Sequence, residues 1–281
     1  MRAFHSCWTR PFFARNPGAA FAAEPFELLT TALSALEWRA AGGSICMVTD
    51  GAGAAYYHAY GLEGLWDDGI RVELDRVPPE IDPCVYWAAG KLFALQRMEL
   101  PCVMLDTDFI VWKDISGLLK GCDCAAIHRE DLMDGIYPPL PAFSFDAGLD
   151  LSGLDWGERP LNTALAYFAN QGLRDRYCKK AIEVMLHSSQ ARDTLIYMVF
   201  AEQRLLAMLA KGYKVGELSD LAALFTSGQA LFTHVWGFKQ QMRDDPQAYE
   251  AFCRRCAGRL SRDFPDAATV LRRIPFLMRY F

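Results

Sequence analysis

The chain has 281 residues, with 29 Lys+Arg against 34 Asp+Glu for a formal net charge of −5, and 52% of it is apolar. An aromatic share of 13% excludes a disordered chain, and the lack of a long basic run argues against an electrostatic grip on nucleic acid as its main task. A mildly acidic chain of this length suits a divalent cation better, and it can bury one large α/β core.

In chain order, residues 3–8 read as a short strand. Residues 26–40 read as a helix with Leu28, Leu29, Ala32, Leu33, Leu36 and Ala40 on one face, ended by Gly42-Gly43. Residues 44–49 form a buried strand closed by Asp50-Gly51, and 70–74 a further strand. A helix is expected over 86–97, strands over 102–105, 109–112 and 125–127, and a long Pro-, Gly- and Asp-rich loop over 131–160, which has the length of a lid. A strand over 161–168, helices over 171–187 and 194–211, and short strands over 213–215 and 230–234 follow. Such alternation predicts an α/β fold with a mostly parallel sheet covered by helices on both faces, its ligand beyond the carboxyl ends of the strands.

The last forty residues change character. Residues 246–260 and 265–280 are helical patterns carrying Arg254, Arg255, Arg259, Arg262, Arg272, Arg273 and Arg279, so residues 1–243 read as the main domain and 244–281 as a helical extension. Its basic face is either a solvated cap or a site of peripheral contact with a membrane or a partner. The nine Cys lie mostly in apolar stretches and read as reduced thiols; Cys122/Cys124 and Cys253/Cys256 lack a second pair at zinc spacing. The first 13 residues lack the apolar stretch of a signal peptide and no run reaches membrane-spanning length, so the expected compartment is the cytoplasm.

The sharpest chemical signal is Asp106-Thr107-Asp108, directly after an apolar strand. If the strand's period of two persists, both carboxylates point one way and repel unless a cation sits between them; hard oxygen ligands suit Mn²⁺ or Mg²⁺. The same triplet also occurs in plain turns. Thr9 and Arg10, just past the first strand, lie where such folds receive a nucleotide, Arg10 either touching phosphate or capping the loop, and Asp50 is either a turn residue or part of that pocket. Tyr56-Tyr57 and Tyr86-Trp87 read as core. No G-x-x-x-x-G-K-[ST], G-x-S-x-G or complete G-x-G-x-x-G occurs.

With Asp106-Thr107-Asp108, several further elements appear in matching order. Asn162-Thr163-Ala164 precedes an apolar strand, Glu202-Gln203 precedes Leu205-Leu206, and His234-Val235-Trp236-Gly237 follows. On these the chain resembles the GT-A glycosyltransferases, with the glycogenin-like and capsular-polysaccharide-type retaining members nearest, over residues 3–240. The resemblance implies a Rossmann-like GT-A sheet and a transferase using a nucleoside-diphosphate sugar, UDP-sugar first, on a carbohydrate, lipid-linked or protein acceptor, with retention. It implies Asp106, Asp108 and His234 as ligands of Mn²⁺ or Mg²⁺, and Asn162, Glu202 and Gln203 as catalytic residues beside the donor sugar. Thr107, Lys91, Gly237 and Lys239 would complete the donor site, the lysines pairing with phosphate or staying solvated.

The chain departs from that pattern at Ala164, where the family prefers Gly, at Glu202, where it has Asp, and at Lys239, one residue earlier than its spacing. Two other readings stand beside it. One is a non-catalytic nucleotide-sugar-binding protein, and the other a sugar nucleotidyltransferase, whose Gly-rich loop Thr9–Phe13 lacks. An inverting enzyme would need a general base, for which Asp146, Asp150 and Asp155 are available.

Overall fold

A computed structural model of the chain describes residues 1–225 and 230–281. The strands are β1 (Arg2–Cys7), β2 (Ser44–Thr49), β3 (Ile70–Val72), β4 (Cys102–Leu105), β5 (Phe109–Val111), β6 (Cys124–Ala126), β7 (Leu165–Phe168), β8 (Val215–Glu217) and β9 (Phe232–His234). Seven of them form one sheet in the order β3-β2-β1-β4-β7-β6-β8, and β5 and β9 pair separately. The sheet is parallel except at β7, which runs antiparallel to both β4 and β6. The helices are α1 (Arg10–Arg15), α2 (Pro25–Ala40), α3 (Gly51–Ala59), α4 (Ala89–Leu95), α5 (Ser116–Leu119), α6 (Gln171–Leu186), α7 (Thr194–Val199), α8 (Leu205–Leu209), α9 (Phe238–Asp244), α10 (Pro246–Asp263) and α11 (Pro265–Leu271).

The strand period of two divides the core. Ala3, Ile45, Met47, Val103 and Leu105 face α2, α10 and α11, whereas Phe4, Cys46, Val48, Cys102 and Met104 face α4, α6 and α8. Both faces are therefore covered, as the near-continuous apolar strands predict. Helices α2 and α10 pack together, and Arg259 ties them by pairing with Glu37 at 3.1 Å and stacking over Trp112, 4.6 Å from its ring centre. Arg254 and Arg262 pair with Glu250 and Asp263, so part of the basic face is neutralised by its own acids. Cys253 and Cys256 sit in this core, where burial pushes both thiols up, to about 11 and about 12. Among the described residues no helix is long and apolar enough to cross a membrane.

Several expected boundaries shift for local reasons. The expected strand over 161–168 is regular only from Leu165, because Thr163 and Ala164 form a turn in which the Asn162 side-chain oxygen accepts from the Ala164 N–H, while the Asn162 backbone still pairs with Ile127 and His128. The helix expected over 265–280 stops at Leu271 and resumes as a single turn, Met278–Tyr280; Pro275, which has no N–H to give, lies between. Leu74, expected to end a strand, instead opens the 3₁₀ turn Leu74–Arg76, and the helix over 194–211 opens into a π turn at Phe200–Arg204. The loop over 131–160 carries one 3₁₀ turn, Leu140–Ala142.

A buried polar chain locks β1 to its neighbours. The Trp66 indole donates to His5 Nδ1 at 3.2 Å, so Nε2 carries the proton toward Ser34 Oγ at 2.9 Å, and that hydroxyl donates to the Phe109 carbonyl at 2.5 Å. Burial lowers the His5 pKa from 6.5 to about 3. The unfolded chain thus binds a proton below pH 6.5 that the native state refuses, and stability falls as pH drops from 6.5 toward 3. Urea unfolding at about pH 7 and about pH 5 should show a loss of about 2 kcal/mol from this group, and a shallower dependence in His5→Gln.

Candidate functional site

A cavity of about 350 Å³ opens beyond the carboxyl ends of β1 and β4. Strand β4 delivers Asp106, whose N–H donates to the Ala164 carbonyl at 2.8 Å, and the chain turns through Thr107 and Asp108 into β5. Because β5 pairs with β9 in the register Phe109↔His234, a histidine far along the chain arrives beside Asp108, and the Val235 N–H donates to the Asp108 carbonyl at 3.2 Å. One ligand atom from each of Asp106, Asp108 and His234 lies within 4.8 Å of the others.

Two lysines compensate these acids. Lys91 Nζ sits 2.5 Å from Asp106 Oδ1 and 2.6 Å from Glu202 Oε1, and Lys239 Nζ sits 2.8 Å from Asp108 Oδ2. Lys91 hydrogen-bonds Glu202 as well, and the two ammonium groups are the partners of Asp106 Oδ1 and Asp108 Oδ2, buried carboxylate oxygens with no other donor. Burial raises the Asp106 pKa to about 7, with Asp108 and Glu202 adding to it and Lys91 opposing. Burial also works against the Asp108 anion, yet Lys239 and His234 hold its pKa below the usual value. His234 is lowered to about 4 by burial and is a neutral imidazole near pH 7, the form with a lone pair to give. Two buried carboxylates served only by mobile lysine ammonium groups, with a neutral imidazole whose ligand atom lies within 4.8 Å of theirs, fit Mn²⁺ or Mg²⁺.

Glu202 and Gln203 reach the cavity from the π turn. The wider turn turns carbonyls outward: that of Glu202 accepts from the Tyr177 hydroxyl at 2.6 Å and that of Gln203 from the Leu161 N–H at 3.3 Å. Glu202 Oε1 also accepts from Thr163 Oγ1 at 3.0 Å. Gly90 sets Lys91 in place, since a Cβ there would stand 2.7 Å from Trp8 Cβ.

Of the expected site residues, the structure brings Lys91, Asp106, Thr107, Asp108, Asn162, Glu202, Gln203, His234 and Lys239 to the cavity wall. Thr9, Arg10, Asp50 and Gly237 are not among its lining residues. Asp50 caps α3 through the Gly53 N–H at 3.0 Å and takes the Thr9 N–H at 2.7 Å, a scaffold that fixes the end of β1. Arg10 donates to the Val77 carbonyl at 2.7 Å, and Gly237 precedes the first turn of α9. Asp146 bonds Ser189, Asp150 bonds Ser152 and Asp155 pairs with Lys211, all off the wall.

Glu130 was not expected and lines the cavity. It accepts from Asn162 Nδ2 at 2.7 Å and faces His128 Nε2 at 3.0 Å; burial opposes its charge, but these two contacts hold its pKa below the usual carboxylate range. It follows the strand 125–127 as Asp106 follows 102–105, so an acid just past a buried strand was the available signal. Trp87, expected in the core, lines the cavity, whereas its neighbour Tyr86 is buried and bonds Ser188 at 2.7 Å.

No protein-family model matches the chain, and no curated protein matches it by sequence. Among solved structures it is similar to the galactosyltransferase LgtC bound to donor and acceptor sugar analogues, at 14% identity over 76% of this chain and 72% of that one, with a TM-score of 0.40. Mouse xyloside xylosyltransferase 1 gives 12% identity, 74% and 80% coverage and a TM-score of 0.40, and the PaToxG glycosyltransferase 12%, 98%, 84% and 0.40. All three of these solved structures are glycosyltransferases.

Proposed function

We propose that the chain is a metal-dependent glycosyltransferase that moves a sugar, hexose first, from a nucleoside-diphosphate donor, UDP-sugar first, to an acceptor hydroxyl. The observation that carries this reading is the convergence of Asp106, Asp108 and His234 on a cavity that also holds Lys91, Lys239 and the Glu202-Gln203 pair. Mn²⁺ or Mg²⁺ held by Asp106, Asp108 and His234 would offset charge gathering on a departing diphosphate.

The chain's own residues supply the rest. Lys91 and Lys239 carry positive charge on the same wall and can turn from their carboxylates to phosphate oxygens. Glu202, anchored by Thr163 and Lys91, sets negative charge where an anomeric carbon gains positive character, and the Gln203 amide meets sugar hydroxyls. Asn162 positions Glu130. Retention is supported by the location of Asp146, Asp150 and Asp155 off the wall, and by Glu130, whose contacts with His128 and Asn162 hold its pKa down and weaken it as a base. A product of inverted configuration, followed by NMR, would contradict retention. In the same reading residues 1–243 are the catalytic part and 244–281 a helical cap, and the acceptor is a carbohydrate, lipid-linked or protein hydroxyl.

A thermal-shift screen of nucleoside diphosphates and their sugars, each with and without Mn²⁺, tests the reading. At ligand near 100 times its Kd, mass action adds about 2.7 kcal/mol and raises the Tm by several degrees. A shift needing both nucleotide and cation is expected; no shift with any pair would overturn the reading.

A further inference from the structure

The π turn that presents Glu202 and Gln203 also carries Arg204, which is 3% exposed. Its guanidinium donates to the carbonyls of Tyr137 (2.8 Å), Pro138 (2.5 Å) and Trp156 (2.5 Å), and lies 4.9 Å from the centre of the Trp156 ring. That ring stacks in turn on Phe200 at 5.2 Å, with 5° between planes. One buried cation thus fastens the expected lid, residues 131–160, at two separated points to the element bearing the site. Beside the first of them, the Tyr137 hydroxyl donates to Gln203 Oε1 at 2.5 Å, and both side chains line the cavity.

This contact decides what Gln203 offers. With its oxygen occupied by Tyr137, the amide has its two N–H donors left for a ligand, and sugar hydroxyl and ring oxygens are the acceptors they suit. We propose that Tyr137 and Arg204 are positioning residues: Arg204 clasps the loop to the π turn, and Tyr137 turns the Gln203 amide so that it donates to the sugar of the nucleotide donor. This rests on the reading of the cavity as a nucleotide-sugar site. A merely structural loop contact would change binding of the nucleotide and of its sugar alike; an amide orientation changes the sugar's share alone.

The test is calorimetric titration of the full chain with UDP and with UDP-glucose in Mn²⁺, for the parent, Tyr137→Phe, Gln203→Ala and the double variant. Tyr137→Phe should weaken UDP-glucose by about 3- to 10-fold, the effect of one neutral hydrogen bond, and leave UDP within about twofold. The double variant should lose no more than Gln203→Ala alone, because the hydroxyl acts through the amide. Equal losses for both ligands, no loss, or additive losses overturn the positioning role, whereas a parent that binds neither ligand overturns the reading of the cavity itself. The clasp is tested without ligand: Arg204→Lys keeps the charge but loses the fork, and amide exchange across 135–160 should quicken at least about tenfold while the sheet stays protected. Unchanged exchange there would refute the clasp.

Discussion

Asp106→Asn is expected to abolish cation-dependent nucleotide binding while leaving the fold at least as stable as the parent's. Three carboxylates, Asp106, Asp108 and Glu202, meet two ammonium groups in this cluster, and burial, with Asp108 and Glu202 adding to it, pushes Asp106 up to about 7 despite Lys91. Replacing it by an amide removes that charge and leaves the Lys91 to Glu202 pair in place. The free chain's stability should therefore change by less than about 1 kcal/mol, or rise, as is common where a site holds strain for function. Loss of a partner behind a metal ligand costs about 10- to 100-fold in affinity, so loss of the ligand itself should cost more than about 100-fold. Urea unfolding and titration of Mn²⁺ with UDP on the same preparation check both halves. A variant that unfolds more easily by over about 2 kcal/mol would instead make Asp106 a structural residue.

Lys91→Met should do the opposite. Its ammonium is the shared counter-charge of Asp106 and Glu202, and burial, which works against it, is outweighed by those two carboxylates, so its pKa is raised. Methionine fills similar space but leaves two acids facing each other, with Glu202 only 7% exposed at its side chain. A loss of about 3 kcal/mol is expected, at the low end for a broken buried pair because Lys91 keeps 17% of its side chain exposed. Adding Glu202→Gln should recover at least about 1 kcal/mol of that, since the second change removes the repulsion created by the first. A double variant whose losses simply add would show that Lys91 acts through packing of its stem and not through charge.

Much of the fold was legible because the core strands are short apolar runs between turn signals. Ser44–Thr49 and Cys102–Leu105 fall where periodicity places them. The antiparallel sense of β7 was not legible, since strand direction depends on how the loop over 131–160 returns, and that loop is fastened by Arg204 from a distant helix. The π turn was hidden for a similar reason: Phe200–Arg204 reads as plain helix, and its carbonyls open toward Tyr177 and Leu161, which sequence spacing does not connect.

In the site, Asp106 and Asp108 announced themselves by position after a strand, and His234 by motif order; their meeting depends on the β5 to β9 pairing. Thr9 and Asp50 lie just past their strands, but the Thr9 hydroxyl donates to the Asp50 carboxylate, which caps α3, and neither lines the cavity. Glu130 went unseen because its partners, Asn162 and His128, become neighbours only through the Arg129↔Leu161 bridge.

The most direct test is diffraction from crystals grown with Mn²⁺ and UDP, recorded for the anomalous signal of manganese. The account predicts one strong peak ligated by Asp106, Asp108 and His234, with diphosphate oxygens completing its shell and the Lys239 ammonium moved off Asp108. Ordered UDP in the cavity with no manganese at these three residues, or manganese bound elsewhere, would contradict it.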